Sequence, residues 1–139
     1  MKMLHAVVLS LLFAFPIPSI HAAPAPDAAV VAAARSWMSL IDAGDVRESW
    51  KTASGFFRTA VSEDGWTASI RAARTPLGAP VHREYRTSQQ ATSLPGAPDG
   101  DYSILTFTTD FTHKKSATET VTFMLEQDGQ WRAAGYFIK

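Results

Sequence analysis

No cysteine occurs among the 139 residues. This excludes a disulfide framework, thiol chemistry, thiolate metal ligation and a lipid-bearing cysteine together. An excess of charge is also missing, with 13 basic residues against 13 acidic ones. A nucleic-acid binder needs a basic stripe to displace counterions, so that class is set aside. Histidine is sparse at four, and His5 and His21 precede the region that can fold as a domain. Only His82 and His113 remain for imidazole catalysis or a His-rich metal centre. Nor is any apolar run long enough to span a bilayer, which takes about 20 residues. The longest, Leu4 to Phe15, is ended by Pro16 and Pro18. Nucleophile-elbow, Walker, dinucleotide-binding and HExxH patterns are absent too, and no pattern calls for a cofactor.

The N-terminal residues have the layout of a secretory leader: Lys2, the short apolar run, then prolines and alanines. Cleavage is expected near Ala22, giving a leader over 1–22, a short Ala/Pro linker over 23–27 and one domain over 28–139. The expected location is the periplasm or outside the cell. Loss of Lys2 leaves the mature chain with a net charge of about −1. Roughly 117 residues are enough for one hydrophobic core.

Two periodicities divide the mature chain. From Asp27 to Ala43, Val30, Ala33, Ala34, Trp37, Leu40 and Ile41 recur at helical steps, with Asp27 as cap and Gly44 as stop. Asp45 and Glu48 have the spacing of a capping box for a second helix, whose face would be Val46, Trp50, Ala53 and Phe57. A third begins at Ser62 with acids in its first turn and Trp66, Ile70 and Ala73 as its stripe. Beyond Pro80 the period becomes two. VHREYRTS, DYSILTFTTDF, TETVTFMLEQ and WRAAGYFIK read as strands, with HKKS and Asp128-Gly129 as hairpin turns. Strands joined only by loops run antiparallel. The expected fold is α+β: three N-terminal helices packed on a curved four-stranded antiparallel meander, a cone-like roll.

The two halves meet at RTPLGAPVHRE. Pro76 is expected to end the third helix by disfavouring helical geometry at Thr75, Gly78 to take a positive φ, and Pro80 to launch the first strand. Pro76, Leu77 and Gly78 thus form a structural turn, with Leu77 plugging the junction.

Trp37, the Ser49-Trp50 pair, Pro76 to Gly78, LPGAPDGDY from Leu94, ETVT from Glu119 and DGQWRAAGY from Asp128 together resemble the bacterial domain-of-unknown-function family 4019. The similarity runs from about Ala28 to Ile138. It implies a small exported α+β domain of the cystatin-like or nuclear-transport-factor-2-like kind, and it carries no catalytic residues.

Candidate chemistry must come from the residues. His82 and Glu84 share a strand face but lack a third metal ligand, and Asp99 and Asp101 lack the other acids of a calcium loop, so no metal site is assigned. Arg71 and Arg74 suit a last helical turn without any ligand. If the corner brings Arg74 and Arg83 together beside a cavity, they could hold a carboxylate or phosphate. Core packing is the default for the four tryptophans, yet Trp66 could line a pocket with Tyr85, Tyr102 and Tyr136. Asp42 or Asp110 could add a carboxylate.

The leading expectation is a non-catalytic binding or adaptor module for a small molecule or a periplasmic protein. A cofactor-free isomerase- or dehydratase-like enzyme, with a carboxylate and a tyrosine buried in one pocket, is the rival. Homodimerisation through Thr106, Thr108, Thr120 and Thr122 on the outer sheet face is the third.

Overall fold

A computed structural model describes residues 28–139. The expected leader, the linker and the Asp27 cap lie outside the described residues. Four helices precede four strands: α1 (Ala28–Asp42), α2 (Val46–Lys51), α3 (Gly55–Ala60), α4 (Glu63–Arg74), β1 (Pro80–Ala91), β2 (Tyr102–Phe111), β3 (Lys114–Leu125) and β4 (Trp131–Ile138). The strands form one antiparallel sheet in the order β1-β2-β3-β4. The fold is α+β, with the helices on one face of a sheet that does not close.

On α1 the buried residues are Val30, Ala34, Trp37, Met38 and Ile41, a helical stripe that includes Met38 and leaves Ala33 and Leu40 half-buried. They meet Leu105, Phe107, Val121 and Phe123, the inward positions of β2 and β3. Trp37 and Trp66 stack with ring centroids 5.8 Å apart. Their indoles donate to the same residue, Trp37 to the Ser49 carbonyl at 2.7 Å and Trp66 to Ser49 Oγ at 2.9 Å. Burying a tryptophan requires such an acceptor for its N–H, and Ser49 serves two.

The second expected helix is two short ones. The chain breaks at Ser54, whose N–H donates to the Ala133 carbonyl on β4 at 2.9 Å and whose Oγ accepts from Phe57 N–H, capping α3. A bond to the sheet therefore replaces continuation of the helix. Asp45 sits at the N-terminus of α2 without a side-chain cap, so the capping box does not form; its carbonyl accepts from Ser49 N–H instead. Ser62 does cap α4, accepting from Gly65 N–H at 3.1 Å, with Glu63 and Asp64 in the first turn.

At the corner, Thr75 keeps helical angles (φ −55°, ψ −45°). Pro76 tightens the chain into a 3₁₀ turn, Thr75–Leu77, rather than ending the helix at once. A proline is tolerated at the start of such a turn, where its missing N–H costs no bond. Gly78 then adopts φ 77° and ψ −160°, a region essentially reserved for glycine. The corner docks on the β2–β3 hairpin: His113 N–H donates to the Leu77 carbonyl and Thr112 N–H to the Ala79 carbonyl, both at 2.9 Å. That hairpin is tighter than expected, since β3 already begins at Lys114.

Candidate functional site: a buried charge network beside a cleft

Six polar side chains converge where α1, α4 and the sheet meet. Asp42 ends α1, and Arg74 ends α4. Arg83 on β1 faces Thr109 on β2 across the ladder. Glu119 on β3 lies on the inward face with Val121 and Phe123, and Tyr136 on β4 is paired to Val121.

Arg83 is the bridge. Its Nη1 donates to Asp42 Oδ2 at 2.6 Å and its Nη2 to Asp42 Oδ1 at 3.0 Å. Its Nε donates to Glu119 Oε1 at 2.7 Å, and Nη2 reaches Glu119 Oε2 at 3.3 Å. Arg74 Nη2 donates to Asp42 Oδ1 at 2.7 Å, and its guanidinium lies over the Phe111 ring, 4.8 Å from the centroid. Glu119 is fully buried. Besides Arg83 it accepts from the Thr109 and Tyr136 hydroxyls. A buried carboxylate is tolerable only when matched in this way.

These contacts set the protonation states. Burial would raise the Asp42 pKa, but hydrogen bonds from Arg83 and Arg74, with their charges, hold it below the ordinary carboxylate value. Arg83 loses some basicity to burial and regains more from Asp42 and Glu119, so its pKa ends raised. Burial, then the Glu119 charge and hydrogen bond, push the Tyr136 phenol well up, with Arg74 opposing. Asp42 is therefore ionised at neutral pH and Tyr136 is protonated.

Arg74 and Arg83, the pair expected to grip an anion, are indeed brought together, and the carboxylate between them is the protein's own Asp42. Tyr136 joins them, and the Trp66 ring lies against Tyr136 at 6.3 Å. Tyr85 lies apart, packed on Phe107. Tyr102 stands at the other end of β2, on the outer face by register but buried, its hydroxyl donating to the Pro98 carbonyl at 2.5 Å. Asp110 accepts from Ser116 N–H in the β2–β3 hairpin. Glu119 and Thr109 escaped the reading of the sequence. Among the described residues no three His, Asp or Glu side chains cluster as a metal site.

One donor set stays incomplete. Arg74 Nε and Nη1 are buried without an acceptor among the described residues; an unpaired buried donor costs about 1–3 kcal/mol. Beside Arg74 a cleft of about 350 Å³ opens between the α1–α2 turn, the end of α4 and the proline corner. A second cleft of about 310 Å³ lies between α1 and β4, lined by Trp37, Leu40, Phe123 and Trp131.

The architecture is that of a small α+β domain whose helix–sheet junction is closed by an internal ion network. The chain belongs to the family described as Protein of unknown function (DUF4019), which it matches over residues 33–136. A solved 2.5 Å structure from Catenulispora acidiphila is similar at 18% identity, over 81% of this chain and 88% of that one, with a TM-score of 0.47. No curated protein matches the chain.

Proposed function

We propose that the protein is an exported, non-catalytic binding module that seats a small molecule, or a segment of a periplasmic protein, in the cleft beside the network. The observation that supports this is the self-matching of the buried charges. Asp42 and Glu119 are answered by Arg74 and Arg83, so both carboxylates are already engaged within the protein. A general acid or base works best with a pKa near the operating pH, and Asp42 and Tyr136 are shifted away from neutrality in opposite directions. The cleft volume falls within the range of small-ligand sites, about 300–1,000 Å³.

The enzyme reading has one observation in its favour, the Tyr136 hydroxyl bonded to buried Glu119. A single experiment separates the two. The purified protein is screened by thermal shift against a metabolite library, and each stabilising compound is then followed by NMR. The expected result is a compound that raises Tm and remains unchanged. Conversion of that compound establishes the enzyme reading, and absence of any stabilising compound overturns the cleft as a ligand seat. Export is tested by the intact mass of protein produced with its leader in a bacterium: the expected species lacks the first 22 residues or so, and an uncleaved cytoplasmic product would refute it.

A further inference from the structure

Arg74 differs from Arg83 in leaving donors unused. Its side chain is only 10% exposed, and among the described residues only its Nη2 has an acceptor, Asp42 Oδ1 at 2.7 Å. The dipole of α4 accounts for two arginines in its last turn. It does not account for Nε and Nη1, shielded from bulk solvent without a well-formed hydrogen bond to any described residue. Buried polar groups in folded proteins are nearly always paired, and an exception calls for a missing partner.

Arg74 lines the 350 Å³ cleft together with Asp42, Gly44, Arg71, Thr75 and Gly78. The charges there are unequal. Asp42 and Glu119 are balanced by Arg74 and Arg83, whereas Arg71 is exposed at the cleft and forms no ion pair with any described residue. The cleft wall therefore includes one unmatched positive charge, Arg71, and an arginine, Arg74, two of whose guanidinium nitrogens lack an acceptor among the described residues, with no free carboxylate. Gly44, at the α1–α2 turn, adds no side chain to its wall. An acceptor with negative charge answers both deficits, whereas a neutral acceptor answers the unused donors and leaves the charge unmatched.

We infer that this cleft binds a small oxyanion, a carboxylate or phosphate group, with Arg74 as the buried donor and Arg71 as the charge at the rim. This rests on the binding-module reading and assigns its ligand class. The Asp42 carboxylate holds Arg74 at Nη2 and leaves its other nitrogens to the ligand, so the internal ion pair positions the donor.

The probes are inorganic phosphate and succinate, titrated into the full chain against sodium chloride at matched ionic strength. Tm and the Arg74 side-chain 15Nε resonance are followed. The expected result is a saturable rise in Tm with at least one oxyanion and none with chloride, accompanied by movement of the Arg74 resonance. Arg71→Ala should weaken binding about 3- to 10-fold, and Arg74→Gln should abolish it. If Arg74→Gln does not fold, Arg71→Ala and the wild-type resonance decide the matter. A response equal to that of chloride, or an unmoved Arg74 resonance with Arg71→Ala titrating like wild type, overturns the assignment. If uncharged library compounds bind where both oxyanions fail, the oxyanion falls and the binding module stands. If nothing binds, both fall.

Discussion

Arg83 touches two carboxylates from one guanidinium, so removing it does more than delete a contact. Asp42 and fully buried Glu119 would lose their shared counter-charge, and breaking a buried pair in this way costs about 3–5 kcal/mol. Arg83→Met is expected to lose that amount in urea unfolding. Arg86→Ala, three residues along the strand, breaks a pair with Glu84 that is more than half exposed on both sides, and is expected to change stability by no more than about 0.5 kcal/mol. Equal effects would mean that the network does not hold the layers together. Part of this cluster can be read from residue types: Arg74 and Arg83 stand out at the corner, and Tyr136 and Asp42 as groups able to furnish a pocket, though nothing in the sequence joins them. Glu119 did not, although the signal was present. It lies two residues before Val121 and four before Phe123, so strand alternation puts its carboxylate on the apolar face. Thr109 shares the parity of Leu105 and Phe107 for the same reason. What alternation could not supply is which cation crosses from a neighbouring strand to meet them.

At the scale of elements, the corner between helices and sheet is held by glycine geometry. An added Cβ at Gly78 would collide with Thr112 Oγ1 and come within 2.8 Å of His113 Cδ2, and the backbone there is in a glycine-only region. Gly78→Ala should cost about 1–3 kcal/mol from backbone strain, with a further loss as the β2–β3 hairpin is displaced. Gly44 also has a positive φ, 85°, but a Cβ added there would meet nothing within 4 Å. Gly44→Ala should therefore lose only about 1 kcal/mol. Denaturation of the two variants side by side checks this, and a milder effect at position 78 than at 44 would contradict the docked corner. Proline and glycine placement made this turn legible in the sequence, as alternation did for the meander. The division of α2 from α3 was not legible. Val46, Trp50, Ala53 and Phe57 keep helical spacing across the break, and the bond that interrupts them runs from Ser54 to Ala133, almost eighty residues further on. Local periodicity carries no trace of such a long-range competitor.

Over the whole molecule, the network links α1 and α4 to all four strands, since Asp42, Arg74, Arg83, Thr109, Glu119 and Tyr136 come from six different elements. Its titration should therefore appear in global stability. The Asp42 pKa in the fold lies below its ordinary value of 3.8, because hydrogen bonds from Arg83 and Arg74 outweigh burial. Its contribution is present above that ordinary value and lost as pH falls through the folded one, because the unfolded chain takes up the proton first. Tyr136 works at the other end. Burial and Glu119 raise its pKa above the ordinary 10.0, so an unfolded chain releases the phenolic proton while the folded one still holds it. Its contribution is intact below about pH 10 and is lost as pH rises beyond that. Unfolding free energy measured in urea should thus hold a plateau at neutral pH, falling below about pH 4 and again above about pH 10. Asp42→Asn should make the acid limb shallower, with Asp128 still contributing to it, and Tyr136→Phe the alkaline one, with Tyr102 still contributing, each leaving the other limb in place. A Tyr136→Phe protein with the wild-type alkaline slope would show that the phenol does not keep its proton on Glu119, and would detach β4 from the network that ties the helices to the sheet.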